Sequence, residues 1–271
     1  MENPQVHPHW SKDADFSQVP FFIRRMNTRE RLSVPEVPPA HIPFVGFLFL
    51  TGGEVLAEVD GTQFLCGIGH LLLIPEGHPF SIRYYSDAVG YTGGFRADML
   101  SRPEVALRWL EPVHQAFWFD EAVFIGELFN MMVLSYERGD REFLGKGLDL
   151  LLSRVKSPSF SQPSQIISTF LKSVFSTVRP PQSLSVYAEE ACVSPGHLNR
   201  VVRSATGKSV GEWIDIARLG MAKRLLRDTE QPISEIATAV GLDDSSYFSR
   251  FFKKHTGLSP HSFRKMMRGL S

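Results

Sequence analysis

Residues 232–260 read PISEIATAVGLDDSSYFSRFFKKHTGLSP, and residues 183–210 read SLSVYAEEACVSPGHLNRVVRSATGKSV. Laid over one another, they are two copies of one unit. Leu184 matches Ile233, Ala188 matches Ala237 and Val193 matches Leu242 at a spacing of 49; Leu198 matches Phe248, Val201 matches Phe251 and Gly207 matches Gly257 at a spacing of 50. The added residue falls in the turn. Self-similarity of this kind marks a duplicated supersecondary unit. Each copy reads as a short helix, a tight turn and a second helix closed by glycine, which is a helix-turn-helix.

In the second copy, at about 233–257, Ile233, Ile236, Ala237 and Val240 form the inner face of the first helix. Gly241 ends that helix, where a residue without the Cβ penalty is favoured, and Asp244 or Ser245 caps the next. Phe248, Phe251 and Phe252 then recur at helical spacing and face inward. Ser245, Ser246, Tyr247, Arg250, Lys253 and Lys254 are left for the outer faces. In the first copy, at about 184–207, Val201 and Val202 replace the phenylalanines, and His197, Asn199, Arg200 and Arg203 remain outside. Between the copies, at about 210–227, runs a proline-free stretch with an apolar stripe at Trp213, Ile214, Ala217, Leu225 and Leu226. As one helix it is about 25 Å long at 1.5 Å per residue. Such a rod can hold two recognition helices about one DNA turn, roughly 34 Å, apart.

The chemistry of the outer faces suits DNA. An α-helix fits the major groove, where arginine pairs with guanine and asparagine with adenine. Asn199, Arg200 and Arg250 sit on the early and middle turns of the second helices, which are the turns that meet base edges in helix-turn-helix proteins. Lys208, Lys253, Lys254, Arg264 and Lys265 lie further along and suit phosphates. Charge agrees with this division. The chain of 271 residues is neutral overall, but residues 1–179 carry 16 Lys and Arg against 20 Asp and Glu, and residues 180–271 carry 13 against 9. A basic C-terminal third on a neutral chain fits one domain that meets a polyanion and one that does not.

The run Ile233, Glu235, Ile236, Ala237, Val240, Gly241, Tyr247, Phe248, Ser249, Arg250, Phe252, Lys253, Lys254, Gly257, Ser259, Pro260, Phe263 and Arg264 resembles the signature of the AraC/XylS family of transcriptional regulators. The resemblance extends back through Ala222, Lys223, Leu225 and Leu226 and covers about residues 165–271. Leu242 stands where the family usually has Phe, and Gly196 where members often carry a bulkier DNA-contacting side chain. The resemblance implies a tandem helix-turn-helix domain that activates, or sometimes represses, transcription on promoter or operator DNA, with RNA polymerase as a partner. By position it implies reading residues His197, Asn199 and Arg200 in the first copy and Ser245, Ser246, Tyr247 and Arg250 in the second. It also implies an N-terminal domain that senses a small molecule or mediates dimerisation.

The N-terminal part has a strand texture. Residues 45–53 form an apolar run closed by Gly52 and Gly53, and EVLAEVDGTQFLC at 54–66 turns at Asp60-Gly61, a strong hairpin signal. A third block spans 67–85. Short strands with glycine turns predict a small barrel or sandwich. The block from Gly69 to Pro75, Gly77 and His78 resembles the second motif of cupin barrels, so the expected fold is a mainly-β cupin-like barrel (jelly roll) with following helices, joined to an all-α double helix-turn-helix. The first forty residues, with Pro35, Pro38 and Pro39, are expected to be an irregular arm. Helical periodicity appears at 122–137 and 143–155, and one of these helices suits a subunit interface. The expected division is 1–156 for the arm, sensor or dimerisation domain and its helices, a Ser/Pro linker at 157–164, and 165–271 for the DNA-binding domain.

Other function classes find little support. Metal-binding cupins carry a His-x-His and a later His. No His-x-His lies in residues 46–64, Phe80 holds the later position, and His70 and His78 stand eight residues apart. Three or four convergent donors are needed, so no metal or cofactor is expected; His7 and His9 read as a chance pair. No nucleophile–base arrangement or phosphate loop is visible, so an enzyme is not expected. Phe44, Phe47, Phe49, Phe64, Phe80, Tyr84, Tyr85, Tyr91 and Phe95 supply core, and some of them suit a cavity for an apolar or aromatic effector. Cys66 and Cys192 stand alone, which fits a reducing compartment. The absence of a signal-peptide pattern or an apolar run of membrane length predicts a cytoplasmic protein. A constitutive dimer without effector is the alternative reading, and a cupin enzyme with a regulatory tail is the third.

Overall fold

The computed structural model describes residues 20–28, 37–41, 44–101, 115–155, 164–176 and 179–269. Its N-terminal part is an antiparallel sheet of seven strands: β1 (Phe21–Asn27), β2 (Val37–His41), β3 (Val45–Val59), β4 (Thr62–Cys66), β5 (His70–Ile74), β6 (Pro79–Phe95) and β7 (Gln115–Trp118). Helices α1 (Ala122–Glu137) and α2 (Arg141–Arg154) follow. The C-terminal part is all-α: α3 (Gln165–Val174), α4 (Leu184–Glu190), α5 (Pro195–Thr206), α6 (Val210–Asp228), α7 (Ile233–Ala239), α8 (Ser245–Thr256) and α9 (Pro260–Gly269).

The long strands β3 and β6 pair along most of their length and form the spine of the sheet. They bend where the register shifts, around Gly52. Gly53 sits there at φ +67°, and a Cβ on it would run into the carbonyl oxygens of Ser86 and Asp87, so the bend requires glycine. The bend divides the sheet into two leaves. One leaf combines β1, the end of β6, the start of β3, β5 and β7; the other combines β2, the start of β6, the end of β3, and β4. The Asp60-Gly61 turn joins β3 to β4 with φ of 48° and 73°, the two positive angles that match strand twist in a hairpin.

Side chains alternate across the first leaf as the pleat requires. Phe47, Phe49, Leu71, Leu73, Phe95 and Phe117 face α1 and α2, where Phe129 stacks on both Phe47 and Phe49. Phe44, Leu48, Leu50, Leu72, Ile74 and Ala116 face the other way and share a second core with Val55, Ala57, Val59, Phe64, Cys66 and Phe80. Both faces of this leaf are therefore buried, which explains its unbroken apolar runs.

One expectation for this half is met in its coarser form and another is corrected. The strand path runs β1-β6-β3-β5-β7 with β2 on β6 and β4 on β3. No pairing among the described strands joins the edges, so the sheet of the described strands is open, and what the structure supports is an antiparallel β-sheet domain followed by helices. The first leaf covers its outer apolar face with two helices. The expected irregular arm also contains structure. β1 pairs with β6 from Phe21↔Phe95 to Asn27↔Val89, with Phe21 and Ile23 buried. Its partner lies far along the chain, so the short run FFIRRMN is not legible alone. β2 carries Pro38 and Pro39 and flanks β6, a position that tolerates residues without an N–H. Residues 1–19, with His7 and His9, and the 157–163 part of the expected linker lie outside the described residues.

In the C-terminal half one core gathers α3, α4, α5 and the first half of α6 around Trp213, Phe170 and Tyr187. Another gathers the second half of α6 with α7, α8 and α9 around Phe248, Phe252 and Phe263. No described helix is long and apolar enough to cross a membrane.

Cys66 is fully buried in the second core, and burial pushes its thiol up to about 12, whereas Cys192 is exposed. Since the thiolate is the reactive form, titration with a thiol reagent at neutral pH should modify Cys192 alone in the folded protein and both cysteines after denaturation. Equal modification rates in the folded protein would contradict this core.

Candidate nucleic-acid interface

Each helix-turn-helix is built by local chemistry. In the second, α7 ends at Gly241, whose φ of +76° is the left-handed conformation that stops a helix. The Leu242 N–H then returns to the Ala237 carbonyl at 2.9 Å, as the Val193 N–H returns to Ala188 at 2.9 Å in the first. Asp244, not Ser245, is the cap of α8. Its carboxylate accepts from the backbone N–H groups of Ser246 (2.7 Å) and Tyr247 (3.1 Å), and these bonds hold its pKa below the usual carboxylate value. Ser194 caps α5 by accepting from the His197 N–H. Both second helices close on left-handed glycines, Gly207 and Gly257. Leu198 and Val202 in α5, and Phe248, Phe251 and Phe252 in α8, are the buried residues.

What remains outside forms two equivalent faces. On α5, His197, Arg200 and Arg203 are exposed; on α8, Ser246, Tyr247, Arg250, Lys253 and Lys254 are exposed, and Ser245 is half-buried. His197 and Tyr247, Arg200 and Arg250, and Arg203 and Lys253 hold the same places 50 residues apart. Arginine forks at these places can donate two parallel hydrogen bonds to a base edge, and the later cations can meet phosphates. The two faces are connected by α6, whose 19 residues span about 28 Å.

Asn199, Arg264 and Lys208, singled out in the sequence, are engaged within the fold, and so is Arg268. Asn199 is half-buried, and its Oδ1 accepts from the Val210 N–H at 3.0 Å. Arg264 donates to the Gln231 carbonyl at 2.5 Å, and Arg268 donates to the Thr229 carbonyl at 3.0 Å. These two fasten α9 to the segment that leaves α6. Lys208 is ion-paired with Glu54 of β3, with 28% and 20% of the two side chains exposed.

Glu54 belongs to a contact that sequence reading did not find. Glu54 also accepts from the Tyr84 hydroxyl at 2.8 Å. Burial first, and the Glu54 charge second, raise the Tyr84 pKa above its ordinary value. The Tyr84 ring meets Trp213 edge-on at 5.2 Å and stacks on Phe175 at 6.3 Å, and Leu56 is buried in the same core. The outer face of the second leaf thus shares a core with the first helix-turn-helix. Glu54 and Lys208 lie 154 positions apart, so no local pattern reveals their pairing.

Other sensor-side candidates are dispersed. His70 accepts from the Gly67 N–H at 3.2 Å, His78 pairs with Asp60, and the described residues hold no group of three His, Cys, Asp or Glu side chains able to bind a metal. Of the nine strand-region aromatics, seven are buried and Tyr85 and Tyr91 are partly so, in the two cores of the sheet domain and, for Tyr84, in the core of the first helix-turn-helix. A shallow pocket of about 150 Å³ is lined instead by Pro20, Phe21, Met99, Tyr136, Gly139, Arg141 and Leu144.

A family of helix-turn-helix domains matches residues 187–266. The arabinose operon regulatory protein of Salmonella typhimurium is 32% identical over 234 residues, covering 78% of this chain and 80% of that one. The chain belongs to the AraC/XylS family of transcriptional regulators. As an AraC/XylS member it is a DNA-binding regulator of transcription, and the matched residues 187–266 take in most of the duplicated unit. The Escherichia coli arabinose operon regulatory protein is 29% identical over 241 residues, covering 78% of this chain and 77% of its own. Among solved structures, the C-terminal domain of AraT, a response regulator from Geobacillus stearothermophilus, is 34% identical and covers 39% of this chain and 88% of that one, with a TM-score of 0.37.

Gly241 also faces the Pro181 carbonyl, which a Cβ would approach to 2.9 Å. Gly241→Ala should therefore lower stability by about 1–2 kcal/mol from the left-handed backbone alone, read as a reduced midpoint in urea unfolding. An unchanged midpoint would mean that this turn is not held as described.

Proposed function

We propose that this AraC/XylS regulator inserts α5 and α8 into successive major-groove segments of promoter or operator DNA and that its sheet domain controls this binding in response to a small molecule. The observation that carries the first part is the equivalence of the exposed faces of α5 and α8, with Arg200 and Arg250 at the same place on each. His197, Arg200, Ser245, Ser246, Tyr247 and Arg250 are the proposed base-facing set, and Arg203, Lys253 and Lys254 the proposed phosphate-facing set. Residues 165–271 act as the DNA-binding unit and residues up to 156 as the sensor and assembly unit. The regulator acts in the cytoplasm, mainly as an activator with RNA polymerase as its partner, and needs neither catalysis nor a cofactor.

The second part rests on the core shared by Leu56, Tyr84, Phe175 and Trp213. An effector changes DNA binding only through different affinity for two arrangements of the protein. Docking of the second leaf on the first helix-turn-helix supplies one such arrangement, in which Lys208 is held by Glu54. The effector is proposed to be apolar or aromatic. Self-association of two chains is supported by the exposed Val123, Phe124, Met131 and Leu134 on α1. A constitutive dimer without effector is the second reading. The two are separated by whether a panel of apolar metabolites raises the melting temperature, as a ligand of the native state must.

Two outcomes test the proposal, using a site that the full-length protein enriches from random duplex DNA. Arg250→Ala should weaken binding to that site by about 1–3 kcal/mol and relax preference at one position, whereas Lys253→Ala should weaken binding to all sequences alike; equal loss for Arg250→Ala on selected and random DNA would remove its base-reading role. Glu54→Gln should free Lys208 and tighten binding about tenfold, the scale of one charge-assisted hydrogen bond, in fluorescence anisotropy without added ligand. Unchanged affinity would show that the Glu54 contact does not restrain the first helix-turn-helix.

A further inference from the structure

Val210 opens α6, and its N–H is one of the helix-start donors that find no partner inside the helix. The residue is fully buried, so leaving that donor unpaired would be costly. Asn199, on the second helix of the first copy, supplies the acceptor at 3.0 Å. The second copy holds a natural comparison. Fifty residues on, the place of Val210 is taken by Pro260, also buried and also the first residue of its helix, and the place of Asn199 is taken by Ser249. Proline has no N–H to satisfy. Where the donor is missing, the amide acceptor is missing with it.

The threonine and glycine that precede the helix are repeated in both copies. Thr206 donates to the Val202 carbonyl at 2.9 Å, and Thr256 donates to the Phe252 carbonyl at 2.8 Å. The glycines that follow have φ of +73° and +75°. The Asn/Val and Ser/Pro exchange is therefore a matched substitution beside a repeated threonine and glycine, while Trp213 and Glu212 give way to Phe263 and Ser262 in the second copy.

We propose that Asn199 is a positioning residue that sets the angle between α5 and α6, and not a reader of adenine. This rests on the reading of α5 as a DNA-facing helix. Adenine recognition uses the amide oxygen and nitrogen together, and the oxygen of Asn199 is engaged by Val210. The pair fixes the first recognition helix on the rod that carries the second, and so sets the phase between the two along DNA.

The test is a cycle on the full-length chain: Asn199→Ser, Val210→Pro and the double variant, with Asn199→Asp as a fourth protein. Thermal unfolding is measured without DNA. Affinity is measured on the site that the wild type enriches from random duplex DNA, and the enrichment is repeated with each variant. Asn199→Ser should lower the melting temperature by about 2–4 °C, the effect of losing one buried hydrogen bond in a chain of this size. It should weaken the selected site about fivefold without changing the preferred bases. In the Val210→Pro background the same change should alter neither quantity, because there is no donor left to satisfy. Asn199→Asp keeps the acceptor at a helix N-terminus and should keep both melting temperature and base preference.

A changed preference at one base with Asn199→Ser or Asn199→Asp would overturn the proposal, as would a cost of Asn199→Ser that persists undiminished beside Val210→Pro. If Val210→Pro fails to fold, Asn199→Asp decides between acceptor and reader. If the wild type enriches no sequence, the DNA-reading assignment of α5 fails, while the melting cycle still decides the coupling of Asn199 to Val210.

Discussion

Two hydrophobic cores share the helix α6, and the DNA-binding half depends on that sharing. Val210, Trp213, Ile214 and Ala217 enter the core of the first helix-turn-helix, while Ala222 and Leu226 enter that of the second. A helix that is packed at both ends cannot tilt relative to either unit without opening one of the cores. Its ends are fastened as well. Ser209 and Glu212 close a reciprocal capping box at the start, and Arg264 and Arg268 hold the carbonyls that follow its end. The distance between the two recognition helices is thus a property of packing, not of the recognition helices themselves.

The same first core reaches across to the sheet. Leu56 and Tyr84 belong to strands whose opposite faces line the interior of the sheet domain, and they pack with Trp213 in that core. Among the described residues the core of the second helix-turn-helix contains no sheet residue, and Leu258 stands where Lys208 stands in the first. The two copies are alike in construction and different in attachment.

The sheet domain solves a different problem. One leaf is buried on both faces, by α1 and α2 on one side and by the second core on the other. The helices cover the outer face of the first leaf, and the outer side of the second leaf, beyond the bend at Gly53, meets the C-terminal half. The aromatics of this region are consumed by packing: Phe47, Phe49 and Tyr91 stack against Phe129, while Tyr84 packs against Trp213.

The sequence by itself determined the duplicated unit, its turns and its exposed basic faces, because a helix-turn-helix is written in contacts between residues a few positions apart. Gly241, Asp244 and the phenylalanines of α8 were legible for that reason, as was the Asp60-Gly61 hairpin. Only the tertiary structure decided the open sheet, the strand at Phe21–Asn27 and the pairing of Glu54 with Lys208. It also decided that Asn199 and Arg264 face the fold rather than solvent. Each of these rests on a partner distant in sequence or on the direction in which a half-buried polar side chain turns. Periodicity records which residues lie on a face, but the nearest unsatisfied backbone group decides where an amide or a guanidinium on that face is drawn.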